Sequence, residues 1–566
     1  MPDEIWFFTI LVITLYGISV SKLPSRPLIR PLKSFKMAVD CILLITAVMT
    51  AIWFSPLYDS PWKDYGYDIA DYKSIHPSFG TMADFDTLVA ECHRRGLKVM
   101  MDAVFNHTSN QHAWFKEAIA DRDSPYRDYY IIREGKLSKD GELMPPTNWT
   151  SSFTGSAWQR IGDTDEFYLH LFAPEQPDLN WENPDVRAEA VSILRFWLEK
   201  GVDGFRFDVF NMYSKVYPLK DDKSLLNFQK GTKYYVDGPK MHEYLKEMYD
   251  KALSYFDTYT VGESYIPDEE QALKYISQES GELDTIFDFE HFESDSRLKF
   301  LQIPFDLRRF KKGVIGPQLR FYGRGWNTLV LENHDNARSV SRFGINTRFW
   351  RYEAATLLAL VTFMGWGTPF IYQGEEIGMT NSKFSGIDEL RDPASHIVYD
   401  MLTGKYHVPG KAVFNLIRKG VRDHARTPMQ WDDSVNAGFN RGAETWQSVN
   451  PEYKDINVKA DLASKKSIYR FYQELFRIRQ AEPVLLYGET IEYEPDSRRL
   501  VIYSRRYNGR RLLIIGNFCE KPSICRIPED FIPDELDVRL SNYTRQTVRR
   551  ELALRPYEAM LLEEKQ

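Results

Sequence analysis

Cysteine is scarce in this chain: Cys41, Cys92, Cys519 and Cys525 are the only four in 566 residues. Their spacing fits no metal-ligand motif and is too sparse for a disulfide-braced scaffold, so a reducing, cytoplasmic setting is the default expectation. Cys519 and Cys525 can pair locally in an oxidising compartment, and two thiols on neighbouring strands of a small β-domain account for them equally well. A basic excess is missing too. Lys and Arg number 72 against 80 Asp and Glu, a net charge of −8. Neutralising phosphates needs a clustered positive surface, which argues against a nucleic-acid partner. No internal repeat or low-complexity tract appears, so a repeat array or a long biased arm is excluded. The chain has instead an ordinary globular composition and the length for a large core. Aromatic residues make up 14%, with 13 Trp and 33 Tyr. Core packing claims most of these rings, and the remainder suit the C–H faces of a neutral polyol.

Helix-then-strand units recur along the chain. Asp84 to Gly96 reads as an amphipathic helix running into Leu97–Asp102; Val186–Lys200 precedes Gly204–Asp208, His242–Tyr255 precedes Thr258–Glu263, and Tyr352–Met364 precedes Thr368–Gln373. Such alternation predicts a parallel sheet, most economically a barrel. Between His107 and about Asn180 the periodicity fails, and a connection of that length is usually functional. After about Ala481 short alternating strands follow, such as Leu500–Ser504 and Leu512–Ile515, which read as an antiparallel β-domain.

Three apolar runs end in carboxylates: Gly204-Phe205-Arg206-Phe207-Asp208, Thr260-Val261-Gly262-Glu263 and Glu332-Asn333-His334-Asp335. Strand ends are where a parallel α/β barrel exposes side chains to its active face. Two acids flanking one bond are what glycosidic cleavage needs, and a third suits positive charge developing on a sugar ring.

With these segments stand Gly66-Tyr67-Asp68-Ile69, Asp102-Ala103-Val104-Phe105-Asn106-His107, Gln176-Pro177-Asp178-Leu179-Asn180-Trp181, Gly367-Thr368-Pro369 and His424-Ala425-Arg426-Thr427-Pro428-Met429-Gln430-Trp431. In this order they resemble an α-glucosidase of the α-amylase family, in the oligo-1,6-glucosidase and maltase branch, from about Ala51 to the C-terminus. The resemblance implies a (β/α)8 barrel over residues 51–480, a small domain inserted after the third strand at about 107–180, and a C-terminal β-sandwich at 481–566. It implies a retaining, exo-acting enzyme that releases glucose from the non-reducing ends of short α-glucosides; no cofactor and no metal ligand is expected, and the acidic loop with which family members can hold a cation is not recognisable here. Asp208 is then the nucleophile, Glu263 the general acid and base, and Asp335 the stabiliser of the oxocarbenium-like transition state. Arg206, two residues before Asp208 on the same strand face, is expected to lower its pKa. Gly262 is expected to make room for substrate against the backbone. Tyr67, His107 and His334 line the terminal sugar site, and Asp68 with Arg426 forms a charged wall behind the terminal glucose. Val209 resembles the residue of enzymes that accept α-1,6 bonds, where Thr marks strict α-1,4 maltases, although Val also simply favours strands.

Two further readings within the family are a trehalose-6-phosphate hydrolase and a transglucosylase. Against the first, Glu290 stands where those hydrolases usually carry His, and a carboxylate there should repel a phosphorylated substrate. Sucrose-isomerising relatives carry an Arg-Leu-Asp-Arg-Asp loop, which residues 291–310 lack. A more remote reading is a non-catalytic, membrane-anchored partner of a transporter, but such relatives have generally lost the catalytic carboxylates.

Residues 1–50 break the pattern. Ile5 to Val20 is nearly all apolar, slightly short for the roughly twenty residues of a spanning helix, and a second apolar stretch runs from Met37 to Phe54. Lys22, Arg26, Arg30, Lys33 and Lys36 lie between them, a possible positive-inside flank. Asp3 and Glu4 stand where a secretory signal has a basic region. Neither the family's first strand nor its acidic loop and first helix is recognisable here, so the barrel is expected to lack its first βα unit. Two explanations stay open: a membrane-proximal replacement, with membrane contact through residues 5–20, or a reading frame wrongly begun or spliced. The second is preferred.

Overall fold

The computed structural model describes residues 10–13, 49–224, 229–264, 268–277, 281–297, 301–343, 349–440, 442, 444–545 and 547–565. Eight strands make one sheet: β1 Ile10–Ile13, β2 Ala51–Phe54, β3 Lys98–Ala103, β4 Gly204–Phe207, β5 Tyr259–Glu263, β6 Thr285–Phe287, β7 Thr328–Val330 and β8 Thr368–Tyr372. Their spatial order is β6-β5-β4-β3-β2-β1-β8-β7, which is chain order around a ring, and every ladder is parallel. The ring closes between β6 and β7 through side chains. Thr285 Oγ1 donates to Trp326 O at 2.7 Å, and Thr328 Oγ1 to Ile286 O at 3.1 Å. This is the expected (β/α)8 barrel.

Strand alternation divides the side chains between two cores. Ala51, Trp53, Met100, Tyr259, Val261, Phe287, Val330 and Phe370 fill the barrel interior. Their neighbours, such as Ile52, Val99, Phe205, Ile286 and Ile371, face the surrounding helices. Those helices start where local chemistry directs. Thr81 and Asp84 form a capping box at Met82–Arg94, and Asn183 caps Pro184–Glu199 with proline in the first turn.

The first barrel strand is present, against expectation. Ile10–Ile13 runs parallel to β2, with Ile10 opposite Ala51 and Ile13 opposite Phe54, and parallel to β8, with Ile10 opposite Phe370. It escapes recognition because it is a four-residue apolar strand with none of the family's loop chemistry after it. A segment hydrogen-bonded to two strands cannot be the middle of a membrane helix, so the anchor read over residues 5–20 is corrected at these positions. Residues 14–48, with the five basic residues and Cys41, lie outside the described residues. Among the described residues no helix is long and apolar enough to cross a membrane.

Between β3 and Pro184–Glu199 the chain forms a small antiparallel sheet of Ile132–Glu134, Glu166–Leu169 and Trp158–Arg160. It is joined back to the barrel loops by bridges between His107 and Asp178 and between Tyr130 and Leu179. At the other end, Glu489–Tyr493, Leu500–Tyr507, Arg510–Asn517, Ala559–Glu564 and Leu536–Ser541 form an antiparallel five-stranded sheet. One face packs with the two-stranded antiparallel sheet of Ser523–Arg526 and Glu551–Leu554 around Ile502, Leu513, Ile515, Cys525 and Leu554. The other, through Val501, Tyr503, Leu512 and Ile514, joins the large core on the barrel helices. Cys92, Cys519 and Cys525 are free thiols.

Candidate active site

Arg206 and Asp208 are two residues apart on the end of β4 and reach the same side. Arg206 is 1% exposed and Asp208 6%. One guanidinium nitrogen of Arg206 donates to Asp102 Oδ1 at 2.5 Å and to Asp208 Oδ1 at 2.6 Å. The other donates to Glu263 Oε2. A single cation therefore joins the ends of β3, β4 and β5. Asp102 also accepts from Trp53 Nε1 at 3.1 Å and from the Tyr67 hydroxyl at 3.3 Å. The expected effect of Arg206 on Asp208 is present but outweighed. Burial pushes Asp208 well above the usual carboxylate range, Arg206 pulls it down, and Glu263 and Asp102 push it up again. Asp102, fully buried, is raised to about 6. Three carboxylates share one guanidinium, and burial raises two of them, Asp208 and Asp102.

A second group faces the first. Asp335, just past β7, accepts from Arg426 at 2.7 Å and from Arg422 at 3.1 Å, and His334 Nε2 lies 3.3 Å from its other oxygen. The Tyr67 ring stacks on His334 at 5.4 Å between centroids, and its hydroxyl is 2.8 Å from Nε2. Burial drives His334 down to about 3, so its imidazole is neutral at physiological pH. His107, also held neutral by burial, has Nε2 3.0 Å from Gln176 Nε2 and 3.2 Å from Tyr67 O. Asp68 accepts from Ser60 Oγ and from Asp64 N, both at 3.0 Å, while its Oδ2 is buried without a hydrogen-bond partner. Burial raises it to about 6. Arg426 thus forms an ion pair with Asp335, which Arg422 shares.

A cavity of about 1950 Å³ opens over these residues, lined among others by Tyr67, His107, Asp208, Val209, Glu263 and Asp335. Asp68, Arg206, His334 and Arg426 stand behind that lining. All ten candidate residues therefore gather in one place. Val209 sits at φ 36°, ψ 41°, a left-handed conformation that strains a β-branched residue by roughly 1–3 kcal/mol. Gly262 does not face substrate: a Cβ there would meet the Phe210 ring at 2.5 Å and Leu283 at 2.7 Å. It alternates with Val261 and Glu263, so its missing side chain makes room for the outer core. Among the described residues no group of three His, Cys, Asp or Glu is placed to hold a metal ion.

A profile described as "Alpha amylase, catalytic domain" matches residues 44–488. The chain belongs to the α-amylase family. An oligo-1,6-glucosidase of Parageobacillus thermoglucosidasius is 44% identical over 514 residues, 90% of each chain. A trehalose-6-phosphate hydrolase of Bacillus subtilis is 40% identical over 525 residues, 92% of this chain and 91% of that one. Among solved structures, the trehalose-6-phosphate hydrolase of Bacillus licheniformis superposes with a TM-score of 0.89 at 36% identity, and an isomaltulose synthase of Erwinia rhapontici with 0.91 at 34%, each covering both chains completely.

In this α-amylase-family barrel three site residues go beyond those read from sequence. Asp102 lies inside a quoted motif, but its bond to Arg206 spans 104 positions. Trp53, its other partner, lies in β2. Arg422 bonds Asp392 at 2.5 Å, Asp335 at 3.1 Å and Asp64 at 3.3 Å; its position four residues before Arg426 was the available signal. Glu290 is not a bare carboxylate either. Its oxygens accept from Lys312 and, at 3.4 Å, from Arg320, which also holds Asp288 at 2.8 Å. Its negative charge is balanced locally, which weakens the expected repulsion of a phosphorylated sugar.

Proposed function

We propose that the chain is a retaining, exo-acting α-glucosidase that releases glucose from the non-reducing ends of short α-glucosides, chiefly α-1,6-linked ones of the isomaltose type, with α-1,4 bonds also accepted. The observation that carries this reading is the Arg206 guanidinium gripping Asp208 and Glu263 together on the floor of the cavity. In the ionised state Asp208 attacks the anomeric carbon while Glu263, as the general acid, delivers a proton to the departing oxygen. Glu263, now a base, takes a proton from the water that releases glucose and regenerates Asp208. Asp335, braced by Arg422 and Arg426, faces the positive charge that develops on the ring. The buried group around Asp68 and Arg426 closes the cavity behind the first glucose and supports end-cutting. Val209 supports the α-1,6 preference.

A second reading, hydrolysis of trehalose 6-phosphate, is favoured by one observation, the engagement of Glu290 by Lys312 and Arg320. Glucose release by the purified protein from isomaltose, maltose, sucrose and trehalose 6-phosphate separates the two. Isomaltose should have the highest kcat/KM, and Asp208→Asn should abolish turnover of all four. Preference for trehalose 6-phosphate would replace the first reading with the second.

A further inference from the structure

Asn333–Ala337 is the turn that presents His334 and Asp335, and it is bracketed by two charged residues, Glu332 and Arg338, each 1% exposed. They pair across it, Arg338 donating to Glu332 Oε2 at 3.0 Å. The other Glu332 oxygen accepts from Ser339 N at 2.8 Å and Ser339 Oγ at 2.7 Å. Arg338 does more than close the turn. Its first nitrogen also donates to Gln373 O beyond β8 at 2.8 Å, and its second to Ala425 O at 3.3 Å. The Tyr372 hydroxyl donates to the same Ala425 carbonyl at 2.9 Å, and the guanidinium lies 5.0 Å over the Tyr372 ring. Ala425 immediately precedes Arg426, whose guanidinium donates to His334 O at 2.9 Å and Asp335 Oδ1 at 2.7 Å. The contacts thus form a closed circuit running from Asp335 through Arg426, Ala425, Arg338 and Glu332 back to the turn. Neither Glu332 nor Arg338 lines the cavity.

We propose that Glu332 and Arg338 are positioning residues that set the Asp335 carboxylate in register for the glucose hydroxyls, acting on it through the turn and through Arg426. The inference rests on the glucosidase reading. A buried ion pair can also be purely structural, and the distinction lies in coupling. A residue that acts through Asp335 loses its effect on binding once the Asp335 carboxylate is gone, whereas a structural residue costs the same in either background.

The test uses the full chain and 1-deoxynojirimycin, a cationic glucose mimic, titrated calorimetrically so that inactive variants remain measurable. Glu332→Gln keeps an acceptor for Ser339 but removes the charge facing Arg338. It should weaken binding roughly tenfold, the scale of coupled neighbours, and raise KM for isomaltose. In an Asp335→Asn background the same change should alter affinity by less than about twofold. Ser339→Ala, a milder loosening of the same clasp, should show the same pattern and carries the cycle if Glu332→Gln does not fold. Equal losses in both backgrounds, or unchanged affinity in a folded Glu332→Gln, would overturn the proposal. Failure of the wild-type chain to hydrolyse any α-glucoside would instead overturn the glucosidase reading, so the two failures are distinguishable.

Discussion

Asp102→Asn perturbs the Arg206 hub without touching Asp208 or Glu263. The carboxylate accepts three bonds: one from the guanidinium at 2.5 Å, one from Trp53 at 3.1 Å and one from Tyr67 at 3.3 Å. An amide has one oxygen. If it faces Arg206, its NH2 meets the Trp53 N–H; if it faces Trp53, the NH2 meets the guanidinium. A hydrogen bond to a charged group is worth about 1.5–3 kcal/mol, and a stranded buried donor costs about 1–3 kcal/mol. The first of these costs loosens the guanidinium nitrogen that also holds Asp208. Felt only in the transition state, it corresponds to roughly a 10- to 150-fold fall in kcat, with KM little changed. The second appears as lost thermal stability. The pH profile supplies an independent sign. Asp102 repels the ionised form of Asp208, so its neutralisation lowers the Asp208 pKa and moves the acid limb of kcat/KM to lower pH. Steady-state kinetics on an aryl α-glucoside across pH, with a melting curve, reads all three. A folded variant with kcat within twofold of wild type, or an acid limb moved upward, would refute the hub.

Glu263→Gln should lose several orders of magnitude in kcat/KM on isomaltose yet retain relatively fast glycosylation by an aryl glucoside, whose leaving group needs no proton; equal losses on both would remove Glu263 from the acid role. Val209→Thr keeps a β-branched side chain at the same left-handed backbone position, so strain is unchanged and only polarity differs. It should shift preference from isomaltose toward maltose by roughly 1–3 kcal/mol, and an unaltered ratio of specificity constants would sink the linkage argument. Asp68, raised to about 6 by burial, should bind glucose hydroxyls less well as it protonates, so KM rises as pH falls through about 6. Asp68→Asn should flatten that dependence. The same titration has the opposite sign for stability. A carboxyl raised in the fold contributes stability that is fully present below its unfolded pKa and lost as pH rises through about 6, which melting curves of wild type and Asp68→Asn compare directly.

The parts of this molecule legible in its sequence are those where chemistry and position are written in adjacent residues. Asp208, Glu263 and Asp335 announce themselves because each closes or follows an apolar run, and the helices before β3, β4 and β5 carry clear amphipathic periods. What escaped is encoded across distance. The bond between Arg206 and Asp102, and that between Arg422 and Asp64, have no local signature. The net effect on Asp208 depends on burial, which a dipeptide spacing does not report. β6 is three residues long, and β1 is an apolar quartet inside a longer apolar stretch; neither length nor alternation distinguishes such segments from helix. Gly262 was misread for want of its neighbour Phe210, which identifies the face it serves.

The pairing of Ile10 with Phe370 has a consequence for synthesis. Its two sides lie some 360 residues apart, and at translation rates of about 5–20 residues per second the second follows the first by roughly 20–70 s. Throughout that interval Ile10–Ile13 can find only β2, and its far edge stays open to any passing strand. Barrel closure is thus a late event on the ribosome, and the nascent chain needs its vulnerable edge shielded for most of the time it takes to be made.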